Sequence, residues 1–212
     1  MRGLFITLEG PDGSGKSTVI KLLSTWLKEK NVEFITTREP GGTNIGEDIR
    51  KIILDKKNNS MSPQTEALLY AAARSQHVSE KILPALKEGK VVICERFVLS
   101  SLAYQGIGRD LGIDEVKKIN DFATMGIEPD LILFFNVNPR YSLKRKTIRH
   151  GGDRLEKEGE NFHQKVYEGY LKLLKIYPKN VKVIDATSTL EEVFYEVKES
   201  MKNILKGGGI TK

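Results

Sequence analysis

Gly10-Pro11-Asp12-Gly13-Ser14-Gly15-Lys16-Ser17 decides how the rest of the chain is read. The run fits G-x-x-x-x-G-K-[ST], and it stands in the context that such a loop requires. An apolar stretch at residues 4–8 precedes it and reads as a buried strand. Val19, Leu22, Leu23, Trp26 and Leu27 follow it at helical spacing. Gly13 and Gly15 let backbone N–H groups turn inward around phosphate oxygens, and the helix starting near Lys16 adds its positive end. Lys16 supplies a charge that follows a terminal phosphate, and the Ser17 hydroxyl suits a Mg²⁺ ion. Residues 10–18, from Gly10 through Thr18, are thus the expected triphosphate cradle. The loop alone does not separate kinases, GTPases and ATPases. No N-K-x-D run supports guanine recognition, and the chain lacks length for the added domains of motor ATPases. A small phosphate-loop kinase fits best.

Working outward, short apolar or β-branched runs alternate with helical patterns. Strands are expected at residues 4–8, 32–37, 91–94, 130–137 and 181–184. Helices are expected at 18–30, 45–54, from Ser62-Pro63 onward, 77–88 with a restart near Pro84, and 114–125. Ser188-Thr189-Leu190-Glu191 reads as a capping box opening the last helix. Strands separated by helices imply right-handed crossovers and an α/β fold, a doubly wound five-stranded parallel sheet with helices on both faces. At 212 residues this is one domain, residues 1–206, with a flexible glycine-rich tail at 207–212. The composition, 39% hydrophobic and 29% charged, excludes intrinsic disorder as the main state. The single cysteine, Cys94, forms no disulfide framework and suits a reducing, cytoplasmic setting. Glu9 interrupts the opening residues too soon for a secretory leader, and no run is long and apolar enough for a membrane span.

Two further segments carry chemistry. Arg38-Glu39-Pro40-Gly41-Gly42-Thr43 follows the second strand, where loops of a parallel sheet line the ligand crevice. Glu95-Arg96-Phe97 follows the strand at 91–94. A carboxylate there is placed to associate with Mg²⁺, and Arg96 beside it needs an anion if buried.

Together with Leu68-Leu69-Tyr70-Ala71-Ala72-Ala73-Arg74, Ser100-Ser101-Leu102-Ala103-Tyr104-Gln105-Gly106 and Asp153-Arg154-Leu155-Glu156, these segments closely resemble the thymidylate kinase family, in family order over residues 4–200. The resemblance implies an ATP-dependent nucleoside monophosphate kinase that converts dTMP to dTDP on the way to dTTP, with Mg²⁺ as cofactor and a homodimer as the assembly. It implies that Tyr70, where the family usually has Phe, stacks on thymine. Arg74, one helical turn on, contacts the base, and Arg96 holds the acceptor phosphate. Ser101 and Gln105 match base- and sugar-side contacts. Tyr104 matches the residue that crowds the ribose 2′ position, Asp12 a carboxylate near the 3′-hydroxyl, and Arg50 a phosphate-facing arginine. Glu39 and Pro40 belong to the acceptor side, and Pro40 matches a cis-peptide position. Glu95 stands where the family usually has Asp; its extra methylene directs its metal contact through water or to a shifted ion. Gly13 occupies a position where one subtype carries an arginine, so a catalytic arginine comes from elsewhere.

The segment at about 140–156 is the expected source. Arg140, Lys144, Arg145, Lys146 and Arg149 fall within 140–150 with no acid among them. The chain's net charge is +6, so without this run it is close to neutral. Composition alone leaves nucleic acid open as a partner; this distribution favours small phosphates, and neither nucleic acid nor membrane is expected. The subtype resemblance implies a small lid over ATP. Arg149 or Arg154 is the candidate arginine finger, and Arg145 lies near the adenine or phosphates. The catalytic set is then Lys16, Glu95, Arg96, Arg149 and Arg154, with Ser17 and Glu95 at the metal. Rival readings are a deoxynucleoside kinase, a DNA-stimulated ATPase and a silent nucleotide-binding module.

Overall fold

The computed structural model describes residues 2–142, 153–155 and 157–209. Five strands, β1 (Phe5–Glu9), β2 (Phe34–Arg38), β3 (Val91–Glu95), β4 (Leu131–Asn136) and β5 (Val181–Asp185), form one parallel sheet in the order β2-β3-β1-β4-β5. The central strand β1 is buried along its length, because helices cover both faces. Alternation sorts its side chains. Ile6 and Leu8, with Ile93, Leu133 and Phe135, face α1 (Lys16–Glu29) and α8 (Leu190–Gly207). Phe5, Val92 and Cys94 face the opposite layer, where α3 (Pro63–His77) passes through a wide π turn (Val78–Ile82) into α4 (Leu83–Lys87). Beside them Phe134 packs on Leu99, Tyr104 and Tyr170, which belong to a helical stretch (Val98–Ser101, called α5, then a π-helical run Leu102–Gly108) and to α7 (Glu160–Ile176). Two further helices, α2 (Asn44–Leu54) and α6 (Ile113–Thr124), flank α3.

Local signals explain most of the boundaries. Ser62 caps α3 through the Thr65 N–H, with Pro63 in the first turn where a missing N–H costs nothing. Pro84 sits in the first turn of α4 for the same reason, so the helical path continues past it. The capping box of α8 lies one residue later than the sequence suggested. Thr189 accepts from Glu192 N, and Glu192 reaches back to Thr189 N, because Thr189 is the last extended residue (ψ 158°). That helix also takes in Gly207, and Gly208 N still donates to Ile204 O, so the ordered chain extends past the expected start of the tail. Among the described residues, the longest helical stretches with no counterpart in the sequence reading are α7 and the run from Val98 to Gly108. Among the described residues no helix is long and apolar enough to cross a membrane.

Candidate active site

The phosphate loop leaves β1 and enters α1. Gly13 (φ 74°) and Gly15 (φ 95°) adopt the left-handed backbone that the loop requires. Lys16 folds back over the loop: its Nζ donates to the carbonyls of Gly10 (3.0 Å) and Pro11 (2.8 Å) and to Ser14 Oγ (3.2 Å). Burial, with Arg96 nearby, lowers its pKa from 10.5 to about 8. Among the described residues its hydrogen bonds go to carbonyl and hydroxyl oxygens, and a phosphate in the loop would add an anionic acceptor.

Next to the loop opens a cavity of about 240 Å³. All ten residues expected on the acceptor side line it: Asp12, Glu39, Pro40, Arg50, Tyr70, Arg74, Arg96, Ser101, Tyr104 and Gln105. Ser17 and Glu95, expected at the metal, line it as well, and the Ser17 hydroxyl donates to Glu95 Oε2 at 2.8 Å. The Glu39–Pro40 peptide is cis, as the resemblance implied. Four arginines, at 38, 50, 74 and 96, line the cavity together with four acids, Asp12, Glu39, Glu95 and Asp153, so its charge is placed rather than in net excess.

Arg96 is the most elaborately held of them. It follows β3 with φ 69°, a left-handed backbone unusual for a branched-free but bulky side chain and typical of functional sites. Its Nη2 meets Asp12 Oδ1 at 3.0 Å, and its Nη1 donates to Ser100 Oγ (3.0 Å) and Tyr170 OH (3.1 Å). The guanidinium lies 5.2 Å from the centre of the Tyr104 ring. Burial opposes its charge, but Tyr104, Asp12, Tyr170 and Glu9 around it raise its pKa overall. Behind it, Glu9 accepts from Phe97 N (2.8 Å) and Ser100 Oγ (2.5 Å); burial raises the Glu9 pKa against those hydrogen bonds. Tyr104 OH also reaches Asp12 Oδ2 at 3.3 Å, so Asp12, Arg96 and Tyr104 act as one unit.

On the opposite wall, Arg74 is almost wholly buried. It donates to Glu39 Oε2 (2.7 Å), to Ser101 Oγ (2.9 Å) and to Asn120 Oδ1. Arg50 donates to the Pro40 carbonyl (2.9 Å) and closes the cis-proline loop. Burial raises the pKa of Tyr70, so its phenol stays protonated and neutral.

Further ion pairs support the site without any partner having been assigned from sequence. Arg38 lines the cavity and forms a two-pronged pair with Glu47 (2.7 and 3.1 Å), whose pKa that hydrogen bonding pulls down to about 2. Glu66 is buried and gathers Gln105 (2.9 Å), Arg109 (3.2 Å) and Arg154 (2.6 Å). Arg154 also donates to the Ile53 carbonyl at 2.8 Å. The candidate finger Arg154 is therefore engaged by Glu66 and Ile53 rather than by the phosphate loop. The other lid candidates, Arg145 and Arg149, lie outside the described residues, as do Lys144, Lys146 and Glu156. A long-range glutamate such as Glu66 gives no local signal in sequence; only the fold brings its partners together.

A phosphate loop with a buried lysine adjoins a cavity lined by four arginines, four acids and two tyrosines, groups suited to charged ligands that carry a ring. Comparison with known proteins agrees. The profile of the thymidylate kinase family matches residues 8–197. A thymidylate kinase of Finegoldia magna is 56% identical over 199 residues, covering 94% of this chain and 98% of its own. One of Clostridium novyi is 54% identical over 203 residues, 95% of this chain and 99% of its own. A third, of Lactobacillus acidophilus, is 55% identical over 208 residues, 97% of this chain and 96% of its own.

Proposed function

Since the chain belongs to the thymidylate kinase family and phosphorylates dTMP to dTDP for dTTP synthesis, we propose that dTMP occupies the cavity between Tyr70 and Arg96 and that ATP lies along residues 10–18. The observation that carries this placement is the Asp12–Arg96–Tyr104 unit standing between the phosphate loop and the cavity. In this reading a phosphate oxygen of dTMP attacks the γ-phosphorus of ATP, and ADP leaves. The monoester phosphate is already anionic, so no strong base is required, and rate comes from positioning and charge stabilisation. Arg96 grips the acceptor phosphate and Lys16 follows the phosphoryl group in flight. Tyr70 stacks on thymine, and Arg74 with Ser101 and Gln105 meets the base. Tyr104 and Asp12 face the sugar, with Tyr104 excluding a 2′-hydroxyl.

Ser17 and Glu95 present adjacent oxygen donors of the hard type that Mg²⁺ takes. The ion, when bound, neutralises charge on the transferring phosphates. Arg145 and Arg149 are assigned to the triphosphate side, and Arg154 to tethering their segment at Glu66. Single alanine variants at 145 and 149 that keep the parental kcat would remove them from this account. The whole of residues 1–206 is taken as one kinase domain, acting in the cytoplasm on small nucleotides.

An acceptor panel at fixed ATP tests the placement. ADP release is expected to be fastest with dTMP, lower with dUMP and slight with dGMP or dCMP, and to stop with EDTA. A purine monophosphate as the best acceptor would overturn it. A DNA-stimulated ATPase is the rival of another class; ADP release driven by DNA in the absence of dTMP would favour it.

The homodimer is proposed on α2, α3 and α6, which pack side by side and expose Ile45, Ile52, Leu68 and Phe122, the last at 87%. An apolar patch of that kind marks an interface. Phe122→Asp is expected to convert a sedimenting dimer into a monomer; a parental protein that already sediments as a monomer would refute the assignment.

A further inference from the structure

We propose that His77 is a positioning residue for acceptor recognition: it fixes the Glu39 carboxylate and, through it, the guanidinium that meets the base. His77 ends α3 and is fully buried. Its Nδ1 lies 2.9 Å from Glu39 Oε1, and its Nε2 lies 2.7 Å from Thr37 Oγ1. An ionised carboxylate only accepts, so the Nδ1 position carries the proton and donates to Glu39. In the neutral ring Nε2 accepts from the Thr37 hydroxyl. Both nitrogens are used, and the ring has one orientation.

The other oxygen of Glu39 accepts from Arg74 Nε at 2.7 Å. The carboxylate is thus held from two sides, each oxygen accepting one hydrogen bond. Arg74 Nη1 is engaged by Ser101 and Asn120. Its Nη2 has no acceptor among the described residues, and Arg74 lines the cavity. A guanidinium is a planar fork, so holding Nε and Nη1 sets the plane and the direction of Nη2. The relay from Thr37 through His77 and Glu39 to Arg74 therefore aims Nη2, which has no acceptor among the described residues. Pre-aiming a long side chain removes an ordering cost that binding would otherwise bear.

The loop after β2 is shaped around the imidazole. Gly42 has φ 88°, and a Cβ there would stand 2.7 Å from His77 Nε2 and 2.8 Å from Thr37 Oγ1. Lys81, on the π turn that begins immediately after His77, donates to the Gly42 carbonyl at 3.2 Å. His77 itself does not line the cavity. Its influence passes through Glu39, so it should appear in acceptor affinity and not in the chemical step.

This inference rests on the reading that Arg74 faces the base of dTMP. Steady-state kinetics of His77→Leu and His77→Asn against the parental protein, with dTMP varied at saturating ATP, test it. His77→Leu leaves the Glu39 carboxylate short of one donor and is expected to raise KM for dTMP by about ten- to hundredfold. The kcat and the KM for ATP are expected to stay within about threefold. His77→Asn keeps an amide donor near the Nδ1 position and is expected to recover most of the loss. The inference is overturned if His77→Leu leaves KM for dTMP unchanged, if the two variants behave alike, or if kcat falls as far as affinity. Should His77→Leu not fold, His77→Gln decides: its amide reaches past Glu39, so a raised KM for dTMP supports the relay and an unchanged one refutes it. A parental protein inactive with dTMP would instead refute the functional reading beneath it.

Discussion

Replacing Lys16 by methionine is expected to lower kcat by about 10²–10³-fold while the apoprotein becomes more stable. The two effects have one cause. Lys16 is buried, and its pKa is depressed to about 8, so below that pH the fold carries a charge that water would solvate better. Its folded pKa lies below the unfolded value. The penalty is therefore fully present below pH 8 and is relieved as pH rises from 8 toward 10.5. Removing the charge removes the penalty, an expected gain of about 1–3 kcal/mol at neutral pH, read as a higher thermal midpoint. In the proposed placement ATP brings an anion to Lys16, so ATP binding is expected to take up a proton above pH 8. Its affinity should fall as pH is raised past about 8 in the parental protein and lose that dependence in the variant. A methionine variant that is both inactive and less stable would show that the lysine holds the loop together rather than straining it.

Replacing Arg96 by alanine is expected to cost about 10³-fold in kcat/KM for dTMP. Arg96 ties Asp12, Ser100, Tyr104 and Tyr170 together from a left-handed backbone position. In the proposed placement its loss removes a counter-charge for the acceptor phosphate and one of the hydrogen bonds to Asp12. Arg96→Lys keeps the charge but replaces a fork with a point, and cannot serve Asp12, Ser100 and a phosphate at once. It should recover only part of the activity. Affinity for ATP, followed by a fluorescent analogue, should change little in either variant. Equal losses toward ATP and dTMP would mean that Arg96 acts by holding the phosphate loop, not by gripping the acceptor.

The parts of the site that local sequence could reveal are those built on backbone. Residues 10–17 announce a phosphate loop because glycines, lysine and serine must occur at fixed offsets between a strand and a helix. The strands were legible for the same reason: a buried parallel strand such as Val91–Glu95 needs an unbroken apolar run. The helix at Glu160–Ile176 was missed although Phe162, Val166, Tyr170 and Leu173 mark its inner face; it has no side-chain N-cap, since Gly159 stands there. The run Val98–Gly108 is buried on nearly all sides, so it shows no polar face by which a helix is recognised, and its glycines suggest a loop. The supporting ion pairs were illegible for a different reason. Glu66 with Arg109 and Arg154, and Glu39 with Arg74 and His77, join residues 35 to 88 positions apart. Nothing near either partner in sequence signals the other. Family resemblance placed the residues that face the cavity and was silent on those that stand behind them, such as Glu9 and His77.

Phosphorus NMR of the purified protein with ATP, dTMP and Mg²⁺ tests the central claim most directly. The account predicts that the dTMP signal is replaced by the two phosphorus signals of dTDP, in step with ADP and in equal amount. ADP and inorganic phosphate accumulating while dTMP persists would contradict it.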